Sequence, residues 1–415
     1  MSKVFRRREV CALCRAGGST LSPVMSLAAT PPANEFVGKQ IGQDTIPLTL
    51  LLCKSCGHVQ LAEIVDPQRL FGDYVYVSGT SPVFVEHFRR YAADSIARFG
   101  LGKDSLVVEA GSNDGTLLRQ FQTQGVPNVL GVDPAAKIAA QARESGIPTL
   151  EGFFTPELAK SLRAERGPAA LICANNVFAH AEDLAGFTDG VRDLLAPEGV
   201  FVFEVSYLAD VVEKLLFDTI YHEHLSYHAV KPLVSFFERH GLRLFDCERI
   251  DTHGGSLRCY VGQAGSSHVR SERVAALLQL EQELELFSPA TYEKFKARIS
   301  RRAQELKARI AQIREQGGRV VGFGAPAKLT TLMHEFGLGS DSIEFIIDDS
   351  AWKQGLYTPG THIPVVPSAE LYARRPDWCI VFAWNFAESI VKKHAAFAEQ
   401  GGRFIVPLPQ LREIP

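Results

Sequence analysis

Residues 221–228 read Tyr-His-Glu-His-Leu-Ser-Tyr-His, the densest group of proton-handling side chains in the chain. Imidazoles beside a tyrosine and a carboxylate can take a proton from a reacting centre and stabilise the charge that develops. Tyr221, Glu223 and His224 are therefore candidate catalytic residues, and His222 a candidate substrate contact. His180, just past an apolar strand-like run, joins them. Two other readings stay open. His224 and His228 are four apart and can share a helical face as metal ligands, although the order is not H-E-x-x-H and no further carboxylate accompanies them. The other is a network of buried polar groups, and His222 and His228 taken singly read as well as satisfied structural histidines.

Four of the eight cysteines form two C-x-x-C pairs, Cys11/Cys14 and Cys53/Cys56, with 38 residues between them. Two such knuckles can set four thiolates tetrahedrally around Zn²⁺, and a closed four-thiolate set is a structural site. The separation is longer than the usual zinc-ribbon loop. Free thiols and redox pairs are the alternatives, but a redox C-x-x-C more often opens a helix after a strand. Zinc here would serve folding. Gly17 and Gly57 follow the knuckles and are expected to help the backbone turn amides toward sulfur. His58 is either a supporting group or a surface residue.

A third constellation is Glu109-Ala-Gly111-Ser-Asn113-Asp-Gly115, between the apolar run SLVVEA and a helical pattern. Glycines at a strand-to-helix turn let the backbone approach a ligand closely. The next predicted strand ends in Asp133, placed to accept hydrogen bonds from two ribose hydroxyls. The pattern is not G-x-G-x-x-G, and no pyrophosphate cradle follows. It resembles the first two motifs of class I methyltransferases, which implies S-adenosylmethionine; another nucleotide or no ligand is the alternative. The cofactor contacts expected on this reading are Glu109, Gly111, Asn113, Gly115, Asp133, Phe153 in the third-strand segment, and Asn175 and Asn176 at the fourth-strand end. Core packing is an equal reading for Phe153 and Phe154.

The elements that must position these groups follow from length and pattern. A chain of 415 residues, 46% apolar and 22% charged, supports two to four domains. Its formal net charge of −3 offers no basic field for nucleic acid. No signal peptide or 18-residue apolar run is visible, so a cytoplasmic protein without membrane or nucleic-acid partners is expected. Residues 1–70 hold few periodic elements and need a staple, so they read as the zinc module. Residues 71–270 alternate strand and helix signals, which predicts an α/β methyltransferase domain with a parallel, Rossmann-like sheet. Residues 271–316 read as charged linker helices, and residues 317–415 as a second, smaller Rossmann-like α/β domain, expected to bind nucleotide.

Taken together, the two knuckles, DYVYVSGTS, EAGSNDGTLL, GVDPAAKIA, NNVFAHAEDL, DTIYHEHLSYH, HGGSLRCYV, GFGAPAK and FIIDDSAWKQGLYTPGTHIPV resemble the three-domain C-methyltransferases of nucleotide-linked 4-keto deoxysugars. The resemblance spans nearly the whole chain. It implies that a base removes the proton on C3 beside the 4-keto group, and that the resulting enolate carbon attacks the sulfonium methyl. By the family's motif the base falls on His224, with Tyr221, Glu223 and His180 binding the sugar, orienting the base and steadying the enolate oxygen. Tyr76 would border cofactor and substrate. The C-terminal domain would hold part of the nucleotide, with Lys328 at the start of a helix after Gly322-Phe-Gly324, and Lys353 as a second cation. A glycine turn that only packs a helix, and a solvated Lys353, are the alternatives. The sequence departs from the family's A-K-G-N-T at Ala327-Lys328-Leu329-Thr330-Thr331, which leaves the nucleotide pocket, and so the base and sugar, open. The competing activity is O- or N-methylation of another small metabolite. A non-catalytic binding protein is disfavoured by the intact glycine turn and histidine cluster. The number of subunits is not legible, and a monomer is compatible with it.

Overall fold

Short apolar runs between glycine turns build the centre of the protein. The computed structural model describes residues 4–71, 79 and 82–415, with backbone alone at His253. Tyr76 lies outside the described residues. Strands Val107–Ala110, Val129–Asp133, Thr149–Glu151, Ala169–Asn175 and Leu195–Ser206 are parallel, and nearly every residue of the central ones is buried. Helices cover both faces, which is why these strands read as continuous apolar runs and not as alternating ones. Ser256–Gln263 runs antiparallel beside Leu195–Ser206, and Leu242–Ile250 completes a seven-stranded sheet at the far edge. Strand order reverses on either side of Val107–Ala110, so a crevice opens at the carboxyl ends there.

A second open sheet has six strands. Val320–Phe323 lies at its centre, flanked by Ile346–Ile347 and Trp378–Val381, with its own reversal of order. Residues 1–60 are more regular than the sequence suggests. Leu21–Thr30, Ile46–Cys53 and Val59–Leu61 form an antiparallel sheet whose fourth strand, Ser226–Tyr227, comes from just after the histidine cluster. The two linker helices are Glu272–Glu283 and Pro289–Glu315. The longer one buries Tyr292, Phe295, Ile299, Ala303, Leu306, Ile310 and Ile313, a three- and four-residue spacing that makes one apolar stripe. Among the described residues no helix is long and apolar enough to cross a membrane.

The shorter linker helix fastens the central domain. Helix Val230–Arg239 has Ala229 at its N-cap and no side-chain cap of its own. Glu281, fully buried, substitutes: its carboxylate accepts from the Val230 and Lys231 amides and from the Tyr207 hydroxyl. Glu281→Ala strands these buried donors at once, and each unmade bond costs about 1–3 kcal/mol. The expected loss is about 3 kcal/mol or more in chemical denaturation, with Glu281→Gln falling between the two.

Candidate active site

The four thiols converge as a metal site requires. All four sulfurs lie within 4.8 Å of one another, and the Cys11–Cys56 and Cys14–Cys53 pairs stand 3.6 Å apart. Sulfurs at about 2.3 Å from a tetrahedral Zn²⁺ are roughly 3.8 Å apart, so this set fits zinc without rearrangement. No disulfide joins them. The glycine expectation needs correcting at the first knuckle. Gly57 is left-handed (φ +84°), but its counterpart one residue past Cys14 is Arg15 (φ +62°), and Gly17 is extended (φ −119°). His58 is no surface residue: it is buried and shares a 3.2 Å hydrogen bond with Ser226.

At the crevice of the central sheet, Gly111 and Gly115 both take positive φ (+68° and +74°). A Cβ on Gly111 would stand 2.3 Å from Val177, and one on Gly115 2.8 Å from Ile147, so the turn accepts no larger residue. Asp133 braces it: its carboxylate accepts from the Asn113 amide (2.8 Å) and the Ala135 amide (2.9 Å). Burial pushes the Asp133 and Glu109 carboxyls above the usual carboxylate range, with neighbouring acids adding to it. Glu109 Oε2, Ser112 Oγ and the Asn175 amide are buried with no hydrogen-bond partner among the described residues. Orphaned polar groups in a row of acids suit a ligand carrying positive charge. Asn176 sits beside them in the left-handed region (φ +56°). Phe154 packs on Phe187 at 5.0 Å, whereas Phe153, past the end of strand Thr149–Glu151, is 48% exposed. Phe154, not Phe153, is the core aromatic. Sequence reasoning missed Glu204, in register with Asn175, whose buried carboxylate accepts from Arg258 (2.7 Å) and pairs with His87 (2.9 Å).

The histidine cluster is not helical, and among the described residues the four cysteines alone form a group able to hold a metal ion. His224 Nδ1 lies 2.7 Å from the Thr219 carbonyl, which can only accept, so this nitrogen carries the proton. Nε2 is then the acceptor, and the Tyr221 hydroxyl donates to it at 2.9 Å. Burial, aided by the Lys328 charge, pushes the imidazole down to about 4, so it is neutral at pH 7. His224 is partly open while residues 220–223 and 225–230 are buried. Its ring stacks on His180 at 5.0 Å, and His180 stacks on Phe71 at 5.5 Å. His180 belongs to the loop whose Val177 fills the space above Gly111, so the cluster adjoins the glycine turn through packed side chains. Glu223 is buried, accepts from Asn34 (2.7 Å), and is pushed up by burial to about 7. His222 bonds the Pro47 carbonyl (3.2 Å), and burial lowers it to about 4. Its Nδ1 is buried with no hydrogen-bond partner among the described residues, so the ring is only half satisfied. His228 is buried, with its ring stacked on Phe178 at 5.3 Å and 5.5 Å from His58.

Both lysines reach this cluster from the C-terminal domain. Lys353 is not a solvated lysine: it donates to the Ala325 carbonyl (2.8 Å), lies 5.4 Å from the Phe36 ring, and burial pushes its ammonium below the usual lysine range against the opposing pull of Asp348 and Glu223. Lys328 is buried, 4.8 Å over the Trp384 ring and facing Asp218. The nearby helix start is partly committed, because the Ala325 amide donates to Asp348 (2.6 Å), just as Asn113 does to Asp133. Leu329 and Thr330 stand where the sequence departs from the family pattern. Leu329 is buried in the core, and Thr330 donates to the Ala33 carbonyl (2.9 Å).

An acid-rich crevice at a glycine turn suits a cofactor bearing a sulfonium and an ammonium group, and the class of enzyme it defines is the S-adenosylmethionine-dependent methyltransferase. Family models agree with the order of the parts. They match a zinc binding domain at residues 14–71, a methyltransferase domain at 84–246 and a C-methyltransferase C-terminal domain at 251–409. The C-methyltransferase NovU of Streptomyces niveus is 35% identical over 417 residues, covering 100% of this chain and 99% of that one. The chain belongs to this C-methyltransferase family and carries a cysteine-built zinc site. Among solved structures, the magnesium protoporphyrin IX methyltransferase of Synechocystis PCC 6803 is 15% identical, with 47% of this chain and 92% of that one covered and a TM-score of 0.35. A methyltransferase of Clostridium acetobutylicum is 10% identical, with 44% and 92% covered and a TM-score of 0.34.

Proposed function

We propose that this C-methyltransferase acts on C3 of a nucleotide-linked 4-keto deoxysugar, with His224 as the base. The observation that carries the reading is the state of His224: neutral, with Nδ1–H anchored on Thr219 and Nε2 left as the acceptor, on a ring stacked against the loop that covers Gly111. A proton on carbon is acidic enough for imidazole only beside a carbonyl, and a carbon acceptor needs such a base where an amine does not. Substrate displaces the Tyr221 hydroxyl from Nε2, which frees its one lone pair to take the C3 proton. Tyr221 and His180 lie against the base and steady the oxygen on which charge develops, and Glu223, near neutral pH in its proton affinity, orients the sugar. Lys328 and Lys353 supply cations for the anionic part of the substrate. Glu109, Gly111, Asn113, Gly115, Asp133, Asn175 and Asn176 hold S-adenosylmethionine, which supplies an activated methyl. General base catalysis contributes about 10²–10⁴-fold, and positioning must supply the rest.

The test needs no cofactor turnover. A 4-keto nucleotide sugar is incubated with the enzyme in D₂O, with S-adenosylhomocysteine in place of the methyl donor, and the C3–H signal is followed by NMR. Its enzyme-dependent loss supports the reading. No exchange with thymidine, guanosine or cytidine diphosphate 4-keto sugars would favour O- or N-methylation instead.

A further inference from the structure

Residues Phe217–Thr219 form a single 3-10 turn, with the Thr219 and Ile220 amides bonded to the Leu216 and Phe217 carbonyls, but the Ile220 carbonyl and the Asp218 side chain take their partners outside it. Those partners come from far along the chain. Trp384 Nε1 donates to Asp218 Oδ2 at 2.6 Å, and the carboxylate is fully buried. The Trp384 ring is a knob of the C-terminal domain seated in the central one. It meets Gly254, which has φ +94° and whose added Cβ would stand 2.5 Å from the ring. Thr331 Oγ1 donates to the Ile220 carbonyl at 2.8 Å. Between these two anchored residues lies Thr219, whose carbonyl fixes the His224 tautomer. A rotation of the 219–220 peptides would withdraw that acceptor and free the ring to carry its proton on Nε2, which is useless for a base.

We infer that Thr331 and Trp384 are positioning residues for the reaction: from the C-terminal domain they clamp the 218–220 backbone, so that Thr219 holds His224 in the Nδ1–H form. The inference rests on the reading of His224 as base for its kinetic consequence. Its structural content, the tautomer, is independent of that reading. Neither residue contacts the ring itself, and each acts through one hydrogen bond that a near-isosteric substitution removes: Thr331→Val deletes the hydroxyl and Trp384→Phe the indole N–H.

The experiment uses the full-length, zinc-loaded enzyme, labelled with ¹⁵N-histidine. Long-range ¹H–¹⁵N spectra are assigned with His224→Gln. The native protein should show His224 as a single Nδ1–H tautomer, and Thr331→Val and Trp384→Phe should each show averaging with the Nε2–H form. Thr331→Ser should restore the native signal. In parallel, exchange of the C3 proton of thymidine diphosphate 4-keto-6-deoxyglucose in D₂O should slow about tenfold to a hundredfold in kcat for both variants, with KM nearly unchanged and Thr331→Ser close to native. A native tautomer in both variants overturns the clamp, whatever the kinetics. If His224→Gln itself exchanges normally, the base assignment falls, and the tautomer spectra still decide the clamp. Should one variant fail to fold, the other and Thr331→Ser carry the comparison.

Discussion

His224→Ala is expected to abolish C3 proton exchange and methyl transfer together, each by about 10²–10⁴-fold, while S-adenosylhomocysteine still binds. The proposed cofactor residues sit on the central sheet and its turns, and the substituted ring adjoins them by packing through His180. Alanine also leaves the Thr219 carbonyl without its donor, a cost of about 1–3 kcal/mol that lowers stability without unfolding a chain of this size. The pH dependence separates this base from an ordinary histidine. Burial holds the native ring near 4, well below its unfolded value of about 6.5. The lone pair on Nε2 is therefore present across neutral pH and disappears as pH falls through about 4. The exchange rate should stay level from pH 7 down to about 5, where a solvated imidazole would already have lost most of its activity. The same depression lowers folding stability as pH drops below about 6.5, because the unfolded chain then binds more protons; each such ring contributes about 1.4 kcal/mol per pH unit until its folded pKa is reached. His222 and His228, lowered by burial to about 4 and about 3, act in the same sense. Retained exchange in His224→Ala, measured by loss of the C3–H resonance, would remove the base assignment.

Zinc loss is expected to be the second large effect, felt at the histidine cluster more than at the cofactor crevice. Binding at a four-thiolate site is worth about 10–16 kcal/mol and is folding free energy for the module that holds it. Strands Ile46–Cys53 and Val59–Leu61 flank the second knuckle directly. Val59 and Gln60 pair with Tyr227 and Ser226, the Leu61 amide donates to Leu225 (3.0 Å), Pro47 holds His222, and Asn34 holds Glu223. Unravelling the module thus removes supports on both sides of His224. Cys53→Ser, or prolonged chelation, should lower zinc content to near zero by elemental analysis and cut proton exchange by more than about 100-fold. Titration calorimetry with S-adenosylhomocysteine should change by no more than about threefold, since the glycine turn, Asp133 and Asn175 all belong to the central sheet. Zinc-free protein with undiminished exchange would show that the module does not support the base.

Much of the site was legible because its chemistry is local. Two C-x-x-C knuckles bring ligands together through single tight turns, and the four sulfurs meet as that spacing implies. The glycine turn declares itself because only residues that tolerate positive φ fit there, and Asp133 follows from where an apolar run stops. Local reasoning went wrong where a residue type was taken for a conformation. Gly17 was the natural choice for the first knuckle, yet Arg15 adopts the left-handed turn. Of the two aromatics that read alike in the sequence, Phe154 fills the core and Phe153 stays half exposed, a division that depends on packing. Leu329 and Thr330, where the sequence departs from the family pattern, are both buried, and Thr330 donates to the Ala33 carbonyl.

From the chain of amino acids alone came the three-part order of domains, the four thiolates, the cofactor turn and the list of groups able to move a proton. What no local pattern could supply was their state. Which nitrogen of His224 bears the proton depends on a carbonyl five residues away, held in place by Trp384 and Thr331 more than 100 residues further on. Whether that ring is neutral, and whether Lys328 meets water or Asp218, depends on how deeply the folded domains bury them. Ligand spacing and backbone dihedrals are set within a few residues. Protonation and orientation answer to dielectric and to partners that only the packed chain brings near.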